Sequence, residues 1–239
     1  MVDLKDEEGN PLFKRTWTSS YSELPLAVNL YRKILSEAPD GSVTIASVGF
    51  STNLARLLES PADEYSPLSG KELVAKKVAL LSTMAGNLST DHSPEYNVMK
   101  DIPAAKEVFS QWPGTVVTSP FEVGIRILYP GKSIQEDFGW AEPSHPVVEA
   151  YKVYRPMPFD QPTWDLTSVV YAVEGLQNGD VSYFGISSPG TIEVTDSAGM
   201  IFREDPAGNR FYLTADSTQV TNVAGRFLEI IPKPVGCCK

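Results

Sequence analysis

The arrangement of apolar and polar residues along the chain begins with one uninterrupted run. Residues 43–48, Val-Thr-Ile-Ala-Ser-Val, are β-branched or small and carry no charge. Such a run favours a strand that is buried on both faces, as in a parallel sheet covered by helices. Gly49 breaks the run, and Ser51, Thr52 or Asn53 can cap a helix over 54–59. A strand, a tight turn and a helix are therefore predicted. Ligands bind at such turns in open α/β sheets, although an ordinary turn without a ligand is the alternative.

Uninterrupted apolar runs for strands and a 3.6-residue apolar period for helices predict the remaining elements. Buried strands are predicted over 78–84 and 115–119, and helices over 22–38, 70–77, 102–112, 121–128, 145–154, 164–173 and 217–231. Residues 131–145 have neither periodicity and are predicted to form a loop. After Gly175 come four short β-rich runs separated by Gly, Asp and Asn, at 183–186, 191–195, 200–203 and 210–213. They predict an antiparallel meander.

The order of these elements predicts the fold class and the domain organisation. Strands that alternate with helices favour an α/β fold, with an open, mostly parallel, Rossmann-like sheet flanked by helices. Residues 1–20 are polar and form a leader, and 21–239 form one α/β domain. Within that domain, 183–213 form a small antiparallel β appendage near the C-terminus.

Charge and composition exclude several classes of partner. The formal net charge is -10, whereas nucleic acids and anionic membranes attract basic surfaces. No apolar run has the length of a membrane span, and the N-terminus is not a secretory signal, so a cytoplasmic location is expected. Cys237 and Cys238 are adjacent, and two cysteines make no metal cage, so no role is assigned to them.

Four segments place polar residues after a buried strand or at the start of a helix. They are 51–53, 84–87, 95–101 and 163–165. Helix capping alone explains each Asp or Asn in these segments when it is taken singly. Their combination and order are more informative than any one segment.

Together these segments resemble the calcium-dependent nucleoside hydrolases, the inosine-uridine preferring N-ribohydrolases. The family's Gly-Pro-Leu-Thr-Asn turn has its counterpart in Gly-Phe-Ser-Thr-Asn at 49–53, and its Met-Gly-Gly turn in Met-Ala-Gly at 84–86. Its Glu-Phe-Asn segment and the following Asp-Pro-x-Ala-Ala are matched by Glu-Tyr-Asn at 95–97 and Asp-Ile-Pro-Ala-Ala at 101–105. The segments at 63–67, 121–124 and 162–173 resemble a divergent branch of that family.

The resemblance implies roles for individual residues. The backbone carbonyl of Thr52 and the carboxylate of Asp165 are implied calcium ligands. Glu95 and Asn97 are implied to bind the ribose hydroxyls, and Met84 to line the sugar pocket. Asp165, Asn97 and Glu95 are thus the implied catalytic residues. The chemistry is coherent, because calcium prefers carboxylate, carbonyl and diol oxygens.

Two features depart from the family pattern. Trp164 stands where the family has a His before the metal-binding Asp; it can stack on a base but cannot donate a proton as an acid. His92 and His145 are the alternatives for that role. The family's Asp-rich N-terminal strand, which supplies most metal ligands and the base that activates water, has no counterpart in residues 1–42. The resemblance therefore implies a sheet truncated at its N-terminal side.

The resemblance implies a hydrolase that cleaves the N-glycosidic bond of ribonucleosides, as in purine and pyrimidine salvage. Because the Asp cluster is absent, the chain alone is expected to be inactive or to be part of a split enzyme, and calcium to bind weakly or not at all. The alternatives are a non-catalytic ribose- or nucleoside-binding pseudoenzyme, an interaction protein, and a carbohydrate-active α/β protein. The expected partners are a ribonucleoside and either a second copy of the chain or a complementing N-terminal chain.

Overall fold

The structure is a computed structural model that describes residues 4–13 and 20–234. Part of the polar leader, Cys237 and Cys238 lie outside the described residues. After a single 3-10 turn at Tyr21–Glu23, the helices are α1 (Ala27–Glu37), α2 (Thr52–Glu59), α3 (Gly70–Lys77), α4 (Tyr96–Met99), α5 (Ile102–Gln111), α6 (Phe121–Gly124), α7 (Gly131–Glu136), α8 (Pro146–Tyr154), α9 (Trp164–Glu174) and α10 (Ser217–Ile230). The strands are β1 (Val43–Ser47), β2 (Val78–Met84), β3 (Thr115–Ser119), β4 (Leu128–Tyr129), β5 (Gln161–Pro162), β6 (Gln177–Asn178), β7 (Val181–Ser182), β8 (Gly185–Ile186), β9 (Gly190–Val194), β10 (Met200–Glu204) and β11 (Arg210–Thr214).

The main sheet confirms the predicted α/β fold class. In the described part of the chain its order is β1-β2-β3-β11-β9-β10, and β8 also pairs with β11. β1, β2, β3 and β11 are parallel, while β8, β9 and β10 run antiparallel to their neighbours. The strands of the predicted meander pair antiparallel with one another, but β11 pairs with β8 and β9 instead of β10, so their order is not that of a simple meander. β11 joins them to the main sheet by pairing in parallel with β3.

Helices cover the two faces of the sheet. On one face, Ile45, Leu81 and Val116 lie in register on adjacent strands and pack in a buried apolar cluster with residues of α2 and α5. On the other face α9 packs against β1, β2 and β3, and the Ser82 hydroxyl donates to the carbonyl of Ser168 at 2.7 Å. The alternation of side chains along β2 separates these two layers.

The prediction that residues 43–48 are buried on both faces is wrong. Ile45 is buried, but Thr44 and Ala46 are exposed. Within the described residues β1 pairs only with β2, so it is an edge strand with one unpaired side. A continuous apolar run fits an edge strand as well as a central one, because strand periodicity carries no information about neighbours.

Three element boundaries also differ from the predictions. The helix predicted over 22–38 begins at Ala27, because Leu24 is extended before Pro25, as residues before proline prefer. The helix predicted over 121–128 ends at Gly124, whose carbonyl accepts the backbone N–H of Thr163. The predicted loop 131–145 contains α7.

Contacts divide the chain into two compact units. The larger unit comprises 25–127 and 163–222 and contains the main sheet. The other comprises the described residues among 4–24, 128–162 and 223–234; it contains the β4–β5 pair, α7 and α8. No helix among the described residues is long and apolar enough to cross a membrane.

Candidate functional site

A cleft of about 540 Å³ opens in the larger unit where the parallel strands end. Val48 follows β1, Met84 ends β2 and Phe121 follows β3 by two residues, so the cleft lies at the carboxyl edge of the sheet. This edge is where open α/β sheets bind ligands. The lining residues are Val48, Met84, Pro94, Glu95, Tyr96, Asn97, Met99, Phe121, Trp164 and Asp165.

Glu95 is buried and uses its carboxylate to hold the backbone around the cleft. Its Oε1 accepts the N–H of Asn97 at 2.9 Å. Its Oε2 accepts the N–H of Gly86 at 3.0 Å and that of Val98 at 3.3 Å. The side chain therefore caps α4 and fixes the turn after β2. Since both oxygens already accept backbone hydrogen bonds, little of the carboxylate remains to bind a ligand.

Asn97 is oriented by the end of β2. Its Nδ2 donates to the carbonyl of Met84 at 3.1 Å and lies 3.2 Å from the Met84 sulfur. The side-chain carbonyl of Asn97 accepts no hydrogen bond from any described residue and stays available to a donor in the cleft. A ribose hydroxyl is a suitable donor for this group.

Asp165 lies in the first turn of α9, and its surroundings disfavour the charged form of its carboxyl group. The residue is exposed, and the walls of the cleft displace part of the solvent around its carboxyl group. This desolvation, and secondarily the nearby charge of Glu95, raise the pKa of the Asp165 carboxyl above its ordinary value. The carboxyl makes no hydrogen bond or ion pair with a described residue.

Trp164 and Phe121 form an aromatic wall of the cleft. Their rings are stacked, with centroids 5.5 Å apart and planes 24° from parallel. The Trp164 Nε1 donates to the Phe121 carbonyl at 3.2 Å. Gly124 makes this packing possible, because a Cβ at that position would lie 2.5 Å from the Trp164 Cα.

Thr52 is the one predicted site residue that does not line the cleft. Its hydroxyl donates to Oδ2 of Asp101, whose Oδ1 caps α5 through the N–H of Ala104 at 3.2 Å. The two side chains thus link the starts of α2 and α5. His92 and His145 do not line the cleft either; Nδ1 of His145 caps α8.

The residues of the cleft do not fit a calcium ion. Calcium takes about 6–8 oxygen ligands, several of them charged. Asp165 supplies the one carboxylate free of hydrogen bonds in the cleft, since that of Glu95 is occupied by backbone donors. No group of three His, Cys, Asp or Glu among the described residues is placed to hold a metal.

Several lining residues were missed from the sequence. Val48 and Phe121 follow predicted strands, and Tyr96 and Met99 flank predicted site residues. Their positions at strand ends and beside Glu95 were the available signal. Apolar and aromatic side chains at such positions are also typical of the core, so the sequence alone does not mark them as lining a cleft.

Comparison with known proteins supports the fold. No protein-family model matches the chain, and no curated protein matches its sequence significantly. Among solved structures, the plant nucleoside hydrolase PpNRh1 is similar, with a TM-score of 0.58, 16% identity and coverage of 90% of this chain and 70% of that one. An inosine-uridine preferring nucleoside hydrolase from Bacillus anthracis has a TM-score of 0.59 and 14% identity, and the match covers 86% of this chain and 65% of that one. A purine-preferring ribonucleoside hydrolase from Gardnerella vaginalis has a TM-score of 0.57 and 16% identity, and the match covers 87% of this chain and 68% of that one. The chain spans about two thirds of the length of these proteins and shares the fold of nucleoside hydrolases.

Proposed function

We propose that this protein binds ribonucleosides in the cleft and takes part in hydrolysis of their N-glycosidic bond. One observation carries the proposal: Met84, Glu95, Asn97, Trp164 and Asp165, which are distant in sequence, line one cleft at the carboxyl edge of the sheet. The nucleoside hydrolase fold of the structural neighbours supports the same function.

The cleft offers complementary surfaces to the two halves of a nucleoside. The side-chain carbonyl of Asn97 and the carboxylate of Asp165 accept hydrogen bonds from ribose hydroxyls. Met84 and Val48 supply apolar contact to the sugar ring. The aromatic wall formed by Trp164 and Phe121 stacks on a planar base.

Turnover demands more than these residues supply. Attack of water on the sugar needs a base, and positioned general-base catalysis contributes on the order of 10²–10⁴ in rate. Asp165 is the one carboxylate in the cleft that is free to act, and the donor set does not fit the calcium of the resembled family. We therefore propose that the chain alone binds nucleosides without hydrolysing them. Turnover then requires a complementing polypeptide, so that the complete assembly serves nucleoside salvage in the cytoplasm.

A non-catalytic nucleoside-binding protein is the second candidate. The observation that favours it is the commitment of Glu95 to three backbone N–H groups, which is a structural use of the carboxylate. The two candidates differ in whether addition of a complementing chain produces sugar release.

Calorimetry with purified protein tests the proposed function. Inosine and uridine are titrated with and without millimolar calcium, and sugar release from p-nitrophenyl riboside is followed in parallel. We expect calcium-independent nucleoside binding that is lost in Asn97→Leu and kept in Asp180→Asn, an exposed residue outside the cleft. Absence of nucleoside binding would overturn the proposal. Calcium-dependent sugar release that disappears in Asp165→Ala would overturn the claim that the chain alone is inactive.

A further inference from the structure

The charged side chains that line the cleft are all acidic. Glu95 and Asp165 are the acidic residues among those that line the cleft. No Lys, Arg or His is among the lining residues, and no described residue forms an ion pair with Asp165. The two carboxylates repel each other, so a bound positive charge lowers the free energy of the cleft.

The aromatic wall provides a second source of attraction for a cation. Indole is the side chain whose face attracts cations most strongly. Lys100 already holds its Nζ 4.8 Å from the centroid of the Tyr96 ring, whereas no described cation covers Trp164 or Phe121. The hydrogen bond from the Trp164 Nε1 to the Phe121 carbonyl keeps the indole in position.

These features suit an organic cation better than a metal ion. A metal such as calcium needs many oxygen ligands, which the cleft lacks. An aromatic cation has a low charge density, gives up its water readily and is held by aromatic faces together with one carboxylate. The volume of about 540 Å³ lies in the range typical of small-molecule sites.

We propose that the cleft selects ribonucleosides whose base carries a fixed positive charge, such as a pyridinium or an N-alkylated purine. The inference rests on the function proposed above and specifies its substrate class. In the hydrolysis of such a nucleoside, the N-glycosidic bond breaks and its electron pair neutralises the ring nitrogen. The oxygen of water bonds to C1′ of the ribose and one proton passes to solvent. The base leaves without being protonated, so Trp164 can face it although indole is no acid.

A pair of ligands that differ in charge and share a shape tests the inference. A ribosyl pyridinium and its uncharged 1,4-dihydropyridine form are titrated calorimetrically into the full chain, together with inosine. We expect the cation to bind about tenfold more tightly than its uncharged form. The preference should fall below about threefold in Asp165→Asn and persist in Asp180→Asn, which removes the same charge outside the cleft.

A second pair of variants separates the aromatic contribution from folding. Trp164→Phe keeps an aromatic face and should retain most of the preference for the cation, while Trp164→Leu should lose it; circular dichroism confirms that both are folded. Equal affinity for the charged and uncharged ligands, with inosine still bound, would overturn this inference and leave the proposed function standing. Failure of all three ligands to bind would overturn both.

Discussion

The carboxylate of Glu95 accepts the backbone N–H of Gly86 at 3.0 Å and so ties the start of α4 to the turn after β2. The same carboxylate accepts the N–H groups of Asn97 and Val98. One buried side chain thus fixes both the position of Asn97 and the turn that follows β2. The shape of the cleft depends on it.

Replacement of this carboxylate should destabilise the protein. In Glu95→Gln one side-chain oxygen must satisfy donors that two charged oxygens satisfy now, so we expect a loss of about 1–3 kcal/mol in the free energy of unfolding. Urea denaturation measures it. Glu122→Gln is the matched control, because the Glu122 carboxylate accepts from fewer backbone N–H groups, its own and that of Leu88. An equal loss in both variants would contradict a special role for Glu95.

Gly86 should tolerate substitution far less than Gly49. Its φ is +81°, and a Cβ would lie 2.1 Å from the sulfur of Met200. We expect Gly86→Ala to cost roughly 1–3 kcal/mol through backbone strain and the clash. Gly49 has open space and an ordinary φ, so Gly49→Ala should be neutral or stabilise by up to about 1 kcal/mol. Thermal unfolding of the two variants compares them directly; similar melting temperatures would refute the strained turn.

Local sequence signals predicted much of the fold. The helix over 70–77 and the strands over 78–84 and 115–119 were predicted to the residue. The first is set locally, since Ser69 and Glu72 form a capping box, and the two apolar runs end at clear breaks. The edge position of β1 and helix α7 depend on tertiary contacts, such as that of Gly131 against the backbone of Phe159, and no periodicity reports them.

Some residues of the candidate site could likewise be placed from the sequence, and others could not. Glu95, Asn97 and Asp165 could be grouped from the sequence because parallel strands end at one edge. The role implied for Thr52 belongs to its backbone carbonyl and stays a prediction; the structure shows that its hydroxyl donates to Asp101. The direction in which a side chain points is settled by neighbours that are distant in sequence.

Acid should weaken the ion pair between Arg32 and Asp63. The Arg32 Nε lies 2.6 Å from Oδ2 of Asp63, and the guanidinium holds the pKa of that carboxyl below its ordinary 3.8. Because the pKa of Asp63 is lower in the folded state, the ion pair stabilises the fold fully above pH 3.8. This contribution is lost as the pH falls through the lowered folded-state pKa. Asp63→Asn should therefore unfold at lower urea than the wild type at pH 7, and the difference should shrink below pH 3.8. Asp40→Asn should show a smaller difference, since Asp40 pairs with Lys77 at an exposed position.

The unpaired side of β1 should promote self-association or capture of a partner strand. An exposed, uncharged strand edge presents free N–H and C=O groups to another chain. Light scattering at rising protein concentration should show association that Ala46→Lys suppresses. Thr191→Lys places the same charge on β9, which is paired on both sides, and should not suppress it. A monomer at high concentration would contradict the prediction.

Asp165 should destabilise the folded protein in its ionised form. Desolvation in the cleft and the charge of Glu95 raise its pKa above 3.8 in the folded state. At a pH between 3.8 and the raised folded-state pKa, the Asp165 carboxyl is deprotonated in the unfolded chain but still protonated in the folded one, so rising pH favours unfolding. Above the raised pKa this loss of folding free energy no longer changes with pH. Asp165→Asn should therefore melt at a higher temperature than the wild type at pH 7. The gain should be small because water reaches the carboxyl, and it should vanish below pH 3.8. Scanning calorimetry across this pH range measures the difference. A variant that melts lower than the wild type at pH 7 would show that Asp165 is a structural residue; a higher melting temperature combined with lost ligand binding is the pattern of a residue kept for function.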